Sequence, residues 1–345
     1  MALQSSKLKD DAISMIGSGK LQPDDLRLVV SLLQSGDVKP LQCATLSYGR
    51  SLDHLSPEQI MPLLDELGRH GAKGHWAVMD IVSMYLHGGK PLSKPLAAKL
   101  KSTLLAHDLF DEVSGQMMDC YHLEQMAKVL LQQDEMDREF SIALVKQVLS
   151  ICRPLKSDMF YALEGPVRSV ITSLLASHPH EVWREGSKLL TATDWQVRFY
   201  AEHLFEPDHD NHLGPGLLYG LPPDVYLDWV RKAPAKRAET VMEWLPITTT
   251  GSDGKMAWHP DLRAYVKEFG NQPRALVRLA SRLHPRTWWG SVVPHLEPFL
   301  PLLELWADTH ERAEVRHWAR ERIEYISAEI DASRKHDEER DVGIY

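Results

Sequence analysis

Apolar residues recur along most of this chain at the spacing of one face of an α-helix. Leu26, Val29, Val30 and Leu33 follow an i, i+3, i+4, i+7 pattern, and the same spacing returns from Ile60 onwards. Proline followed by an acidic residue precedes several of these segments, and that combination suits a first helical turn. The pattern therefore predicts an all-α chain of many short helices joined by short connections.

One stretch departs from the helical spacing. Residues 247–250 are β-prone, residues 251–254 are typical of a turn, and residues 255–258 have the composition of a returning strand. The sequence predicts one short β-hairpin near 247–258 within an otherwise helical chain. An ordered loop is the alternative interpretation.

Prolines also suggest an internal repeat. Pro23, Pro57 and Pro91 are spaced by 34 residues, and Leu33 matches Leu67 at the same interval. This period is the length of one helical hairpin per unit, as in tetratricopeptide or short HEAT-type repeats. The Trp, Gly, Tyr and Ala pattern of the tetratricopeptide family is not kept, so the chain resembles HEAT-like repeats, best over 5–205. That resemblance implies an α-solenoid of stacked helical hairpins.

Composition changes along the chain and suggests a division. Ten of the twelve methionines lie at or before Met159, whereas nine of the ten tryptophans lie at or after Trp183. We therefore predict an N-terminal helical-repeat region at 1–165, a Trp/Arg-rich helical region at 166–333 and a charged tail at 334–345. The two larger regions are either separate domains or the halves of one continuous array.

Charge and cysteine content limit the compartment and the partners. The net charge is −9, which argues against a protein that coats nucleic acid, although a local basic strip is compatible with it. Cys43, Cys120 and Cys152 are few and scattered, as in a reducing compartment. Charged residues at 7–11 and the absence of a long apolar run argue against a signal peptide and a transmembrane helix. We expect a cytoplasmic protein without a membrane partner.

No motif of enzyme or cofactor chemistry is complete. Gly19 and Lys20 resemble a phosphate-binding loop only superficially, because Leu21 replaces the required hydroxyl residue and no strand precedes them. One cluster has residue types that suit divalent metals, but its spacing matches no closed site: His203, Asp208, His209, Asp210 and His212. We predict no catalytic residues, no metal and no cofactor.

The strongest candidate for a functional surface is a pair of arginine ladders, the first at Arg274, Arg278 and Arg282 and the second at Arg312, Arg316 and Arg320. Residues 263–286 contain six basic residues and one acid, and four-residue spacing aligns arginines on one helix face. Guanidinium groups and aromatic rings suit phosphate or acidic protein surfaces. Alternatively, the ladders pair with acidic residues of neighbouring helices. The candidate partner-binding residues are Arg274, Arg278, Arg282, Arg286, Trp288, Trp289, Arg312, Arg316 and Arg320.

These observations favour a non-enzymatic module that binds another protein through a concave helical surface. It is similar in general texture to HEAT-type adaptor or sensor regions of bacterial defence systems. Two alternatives remain open: a nucleic-acid-binding protein related to the HEAT-like alkylpurine DNA glycosylases, and an immunity or antitoxin protein. The glycosylase resemblance implies a catalytic carboxylate, and no residue here matches one.

Overall fold

The computed structural model describes residues 20–47, 52–111, 117–133, 137–153, 157–205, 217–251, 254–285 and 289–341. Within these ranges the chain is helical apart from one two-stranded sheet and the connecting segments. The predicted all-α class and the predicted hairpin are therefore confirmed. No helix in the described part of the chain is long and apolar enough to cross a membrane.

The chain forms two compact units, 1–204 and 205–345. The helices of the first unit are α1 (Pro23–Gln34), α2 (Pro40–Ala44), α3 (Pro57–Leu67), α4 (Gly71–His87), α5 (Lys94–Leu104), α6 (Met117–Leu131), α7 (Arg138–Leu149), α8 (Ser157–Leu175), α9 (Pro179–Leu189) and α10 (Trp195–Phe205). Short 3₁₀ turns follow α2 at Thr45–Ser47 and α7 at Ser150–Cys152. Helix α10 ends at the boundary between the two units.

The starts of α1 and α3 explain part of the 34-residue spacing. The Gln22 N–H donates to Asp25 Oδ2 over 2.7 Å, and the Ser56 N–H donates to Gln59 Oε1 over 2.7 Å. These two capping contacts are 34 residues apart, and each satisfies a backbone donor that a helix start leaves unpaired. Pro91 breaks the series, because it lies in a connection and α5 begins only at Lys94.

Helices of the first unit contact the helix two positions further along the chain. The odd-numbered helices α1, α3, α5, α7 and α9 contact one another in succession, and so do α2, α4, α6 and α8. The predicted apolar stripes face inward, since Leu26, Leu33, Ile60 and Leu67 are all at most 3 % exposed. Full burial of such a side chain contributes about 1.5–3 kcal/mol to folding, so these faces account for much of the packing between α1 and α3.

Ion pairs join the odd-numbered helices at their surface. Each pair links a side chain of one helix, or of its first cap, to the next odd-numbered helix over 3.0–3.3 Å: Asp65–Lys99, Lys101–Asp137 and Arg138–Glu181. Partly buried polar contacts join the even-numbered helices, for example the hydroxyl of Ser169 on α8, which donates to Glu124 Oε1 on α6 over 2.7 Å. The first unit therefore links its helices through side chain to side chain contacts.

The second unit begins its described part with a 3₁₀ turn at Leu217–Gly220. It continues with α11 (Pro223–Arg231), α12 (Pro234–Trp244), β1 (Thr248–Thr250), β2 (Met256–Trp258), α13 (Pro260–Phe269), α14 (Pro273–Arg282), α15 (Val293–Leu296), a 3₁₀ turn at Glu297–Phe299, α16 (Leu300–Thr309) and α17 (Ala313–Asp341). Helix α12 packs against α14, and α16 packs against α17. The charged residues predicted as a tail from 334 continue α17 as far as Asp341.

The hairpin is antiparallel and places one tryptophan in the core. Thr248 pairs with Trp258, and Thr250 pairs with Met256. Gly254 has φ +77° in the turn, a conformation that a residue without Cβ adopts without strain. Trp258 at the end of β2 is 4 % exposed and stacks on Trp306 of α16 with ring centroids 4.4 Å apart. The hairpin thus fixes an indole pair inside the second unit.

The boundary of the compact units differs from the step in composition. The predicted break at Gly165 and Pro166 lies within α8, which continues through both residues to Leu175. Proline removes one backbone donor from a helix but does not always end it. The units divide instead at 204/205, next to the proline- and glycine-rich segment 206–223. The division into the composition-based regions 1–165, 166–333 and 334–345 stays a prediction.

Candidate functional site

The first arginine ladder is divided among three environments. Arg274 is exposed, and its side chain has no partner among the described residues. Arg278 forms an ion pair with Glu243 of α12. Arg282 Nη1 donates to two backbone carbonyls at the end of α12, Met242 O over 2.7 Å and Leu245 O over 2.6 Å. The four-residue stripe is therefore not one exposed surface.

The second ladder binds backbone carbonyls of its own unit. Arg312 Nη2 donates to Glu268 O in the last turn of α13 over 2.9 Å. Arg316 Nη1 donates to His310 O just after α16 over 2.7 Å, and Arg320 Nη2 donates to Ala307 O over 3.1 Å. Carbonyls at a helix C-terminus lack partners within the helix and carry partial negative charge, so a guanidinium stabilises them. These guanidinium groups are therefore bound within the second unit, by backbone carbonyls and not by the acidic side chains that the alternative named.

The tryptophans near the ladders have contrasting exposure. Arg286 and Trp288 lie outside the described residues. Trp289 is 99 % exposed, whereas Trp306 and Trp318 are 5 % and 7 % exposed. Trp306 and Trp318 are therefore part of the core. A role of the candidate residues in partner binding stays a prediction.

Within the part of the chain that the structure describes, a serine, a histidine and an aspartate, the residue types of nucleophilic catalysis, lie close together between α4 and α6. His122 Nδ1 lies 2.7 Å from Ser83 Oγ, and His122 Nε2 lies 3.4 Å from Asp80 Oδ1. All three residues are at most 4 % exposed, so a substrate carbonyl does not reach the hydroxyl. Burial lowers the pKa of His122, which favours the neutral imidazole. We interpret this set as a polar contact that joins two helices, not as an active site.

Thiol and metal chemistry find no support in the described part of the chain. Cys43 and Cys152 are buried, and burial raises the pKa of the Cys43 thiol to about 12 and that of the Cys152 thiol further. Such thiols are poor nucleophiles because the thiolate is the reactive form. The described residues contain no group of three or more metal ligands. Most of the predicted histidine cluster, 208–212, lies outside them.

The candidate functional site is an exposed group of rings on α8 and α10, here called the aromatic cluster: Tyr161, Trp195, Phe199 and His203. The ring centroids of Phe199 and His203 are 4.6 Å apart, those of Tyr161 and His203 are 6.1 Å apart, and those of Trp195 and Phe199 are 6.5 Å apart. Tyr161 is 53 % exposed, Trp195 is 65 % exposed and Phe199 is 39 % exposed. The rings thus form a continuous surface that faces solvent.

Buried contacts beneath the cluster hold its two helices together. Phe160 and Tyr200 stack with centroids 4.2 Å apart and an interplanar angle of 22°, and both are at most 5 % exposed. Arg168 Nη2 donates to the carbonyl of His203, and it also pairs with Glu164 over 3.2 Å. Because the guanidinium is buried, its bonds fix the end of α10 against α8. The exposed rings therefore project from a rigid support, which reduces the entropy lost on binding.

The sequence contained part of the signal for this site. Trp195, Phe199 and His203 follow one another at four-residue spacing, the same spacing that revealed the arginine ladders. Their exposure to solvent could not be predicted from the sequence, because an aromatic stripe on a helix is usually part of the core. Tyr161 joins them only through the packing of α8 beside α10, which no spacing within one helix predicts.

The chain matches no protein-family model, no curated protein and no solved structure. The aromatic cluster must therefore be interpreted from its own chemistry. Tyrosine and tryptophan are enriched where proteins bind other proteins, and a contiguous exposed group of them is unusual on a surface that stays in water. A contiguous exposed ring surface of this kind supports binding.

Proposed function

We propose that this protein is a non-enzymatic, HEAT-like helical-repeat module that binds another protein through the aromatic cluster. The observation that carries the proposal is the contact between four rings of two helices, three of them with 39–65 % of their surface exposed. Rigid aromatic side chains provide large contact area at low entropic cost, and such residues dominate binding energy at interfaces. The partner supplies the apolar surface that removes these rings from water.

The helix contacts of the first unit support the helical-repeat part of the proposal. From α1 to α7, each helix contacts the one two positions later, which is the neighbour relation of stacked helical hairpins. The matched caps at Gln22 and Ser56 add a local repeat of 34 residues. In stacked hairpins one set of helices lines one face, and the aromatic cluster extends from α8, a member of the even-numbered set. An adaptor or sensor role in a defence system fits this form of surface.

The nucleic-acid alternative has weaker support. Exposed rings can stack on bases, but such sites also need cations for the phosphate backbone. Four of the ladder arginines, those at 282, 312, 316 and 320, donate to backbone carbonyls instead. The immunity or antitoxin alternative remains compatible with the charge of −9, since it is also a form of protein binding.

Site-directed photo-crosslinking in the native host tests the proposal. A photoreactive phenylalanine analogue replaces Phe199 in the full chain, and a matched chain has it at Leu28 of α1, which is 49 % exposed in the same unit. We expect one protein partner to be cross-linked in stoichiometric yield from position 199 and not from position 28. Adding Trp195→Ser and Tyr161→Ser to the position-199 chain should abolish the adduct without lowering the melting temperature.

Three outcomes would contradict the proposal. Equal adducts from both positions would indicate non-specific contact. Adducts from position 199 that survive Trp195→Ser and Tyr161→Ser would remove the cluster from the interface. Retention of the purified chain on duplex DNA, with affinity that falls steeply as salt rises, would favour the nucleic-acid alternative.

A further inference from the structure

A groove in the second unit runs between α13 and α16 and has a volume of about 580 Å³. On each helix the lining residues follow i, i+3, i+4, i+7 spacing, from Pro260 on α13 and from Leu302 on α16. One face of each helix therefore borders the groove along about two turns, or roughly 10 Å. This volume lies within the range of about 300–1,000 Å³ that is typical of ligand sites.

The floor of the groove is apolar. Trp258 and Trp306 both line it, with their rings stacked at 4.4 Å and an interplanar angle of 23°. The Trp258 Nε1–H donates to the carbonyl of Leu302 over 3.0 Å, so this indole leaves no unsatisfied donor toward the groove. A bulky aliphatic or aromatic side chain would thus find an aromatic surface without having to satisfy that polar group.

The walls leave room for such a side chain. Ala264 on α13 and Ala257 on β2 have only a methyl group each at positions where a larger side chain would fill the space. Leu305 on the opposite helix is 55 % exposed and extends the apolar lining to the rim. Burial of one leucine-sized side chain is worth about 1.5–3 kcal/mol, so the groove can anchor a peptide through one residue.

The edge formed by α13 is basic. Arg263 lines the groove and is exposed, and its side chain has no hydrogen bond or ion pair within the described part of the chain. One turn later, Lys267 Nζ lies 3.4 Å from Glu311 Oε2. Glu311 therefore offsets the charge of the lysine, whereas the guanidinium of Arg263 remains available. An arginine fork binds a carboxylate with two parallel hydrogen bonds.

We propose that this groove binds a peptide segment of a protein partner in which a bulky apolar side chain is followed or preceded, within about one helical turn, by an aspartate or glutamate. The apolar side chain packs on Trp258 and Trp306, and the carboxylate binds Arg263. The site lies on a different unit from the aromatic cluster and extends the proposed function with a second interface of defined chemistry.

Selection from a phage-displayed library of random peptides, with the full chain as target, tests this inference. We expect the selected peptides to share one Leu, Ile, Phe or Trp and an acidic residue close to it. A synthetic, fluorescently labelled copy of the most enriched peptide then gives the affinity for each variant. Arg263→Glu should weaken binding by about tenfold or more, since it places like charges together. Leu305→Lys should weaken it as well.

The matched control is Arg274→Glu. Arg274 is also exposed and without a described partner, but it lies on α14 and does not line the groove. Its reversal should leave the affinity within about twofold, as expected for a charge that does not contact the peptide. A peptide with lysine in place of its acid should recover affinity on the Arg263→Glu chain, which separates carboxylate recognition from a general loss of structure.

Several results would overturn the inference. These are a library that yields no enriched peptide, enriched peptides without an acidic residue, and equal losses in Arg263→Glu and Arg274→Glu. A concentration-dependent dimer that Leu305→Lys dissolves would assign the groove to a second copy of the chain. The chain with Trp195→Ser and Tyr161→Ser should bind the peptide normally, so failure here and failure of the aromatic cluster are separate outcomes.

Discussion

The two compact units use their charged residues in different ways. In the first unit, acidic and basic side chains meet each other between successive odd-numbered helices. In the second unit, ion pairs such as Arg278–Glu243 also occur, but several arginines donate instead to backbone carbonyls at the ends of α12, α13 and α16. The first arrangement balances charge between side chains. The second completes hydrogen bonds that the helices themselves leave open.

The difference shows why a regular stripe of one charge is ambiguous. Four-residue spacing places arginines on one face of a helix, but it does not say what lies opposite that face. In the first ladder one arginine has no described partner, the next pairs with an acid, and the third donates to carbonyls. The neighbouring helix thus decides the role of each residue. Two substitutions and one change of pH, in order of expected effect, test how far this contrast holds.

The largest effect is expected for Arg168→Met in the first unit. Arg168 is 4 % exposed and pairs with Glu164, which is 9 % exposed, so the substitution leaves a buried carboxylate without its partner. We expect the free energy of unfolding of this unit to fall by about 3–5 kcal/mol. Urea denaturation followed by circular dichroism measures it. The double variant Glu164→Met with Arg168→Met should recover the part of the loss that comes from the unpaired carboxylate, but not the part that comes from the lost bond to the His203 carbonyl. No recovery would show that the pair is not the cause.

A smaller effect is expected for Arg282→Gln in the second unit. The guanidinium donates to two carbonyls at the end of α12, and hydrogen bonds of charged groups contribute about 1.5–3 kcal/mol. We expect a loss in that range, together with faster amide hydrogen exchange at the end of α12. Arg274→Gln on the same helix is the control and should change stability by no more than about 0.5 kcal/mol. Similar losses in both variants would remove the distinction between them.

The smallest effect is expected from acid, and it should appear mainly in the first unit. The hydrogen bond from Gln34 lowers the pKa of Glu66, and the hydrogen bond from Arg138 lowers that of Glu181. A carboxylate with a lowered pKa stabilises the fold fully above its ordinary value near pH 4.3, and this contribution is lost as pH falls through the lower folded value. The bonds from arginine to carbonyl contain no group that titrates there.

Amide hydrogen exchange between pH 5 and pH 3, corrected for the intrinsic rates, follows both units at once. Protection should decline first around α3 and α9, and Glu66→Gln should make the decline near α3 shallower. Because Glu243 and Glu268 form ion pairs with arginines at the ends of α12 and α13, the comparison there uses the chain with Glu243→Gln and Glu268→Gln. Equal acid sensitivity at these ends in that chain would contradict the proposed difference between the two units.

Much of the fold could be predicted because it depends on local patterns. Leu26 and Leu33 are buried as the helical spacing indicated, and residues 248–258 form the expected hairpin. Composition suggested two regions that meet at 165/166, and these regions stay a prediction; helix α8 continues across that position, and the compact units divide at 204/205. Composition gives the residue types that a segment contains, whereas a boundary between units depends on which helices pack together.

The candidate sites were harder to predict from the sequence than the fold, because each site combines side chains from different elements. The indole of Trp306 is buried, yet it also borders a groove that Ala264 and Ala257 line with it. In the aromatic cluster, Tyr161 and Phe199 both contact His203 although they belong to different helices. Both sites depend on side chains that are distant in the sequence, and one helix pattern at a time does not reveal them.

The distribution of cysteine and tryptophan has a practical consequence for experiments on this chain. All three cysteines precede residue 205, and Cys43 and Cys152 are buried thiols with raised pKa values. Seven of the ten tryptophans follow it. Once Cys120 is replaced by alanine, the rate of alkylation reports openings of the first unit alone, while indole emission reports mostly on the second. Unfolding of the two units can therefore be followed separately in one sample, by cysteine alkylation and by tryptophan fluorescence, without any added label.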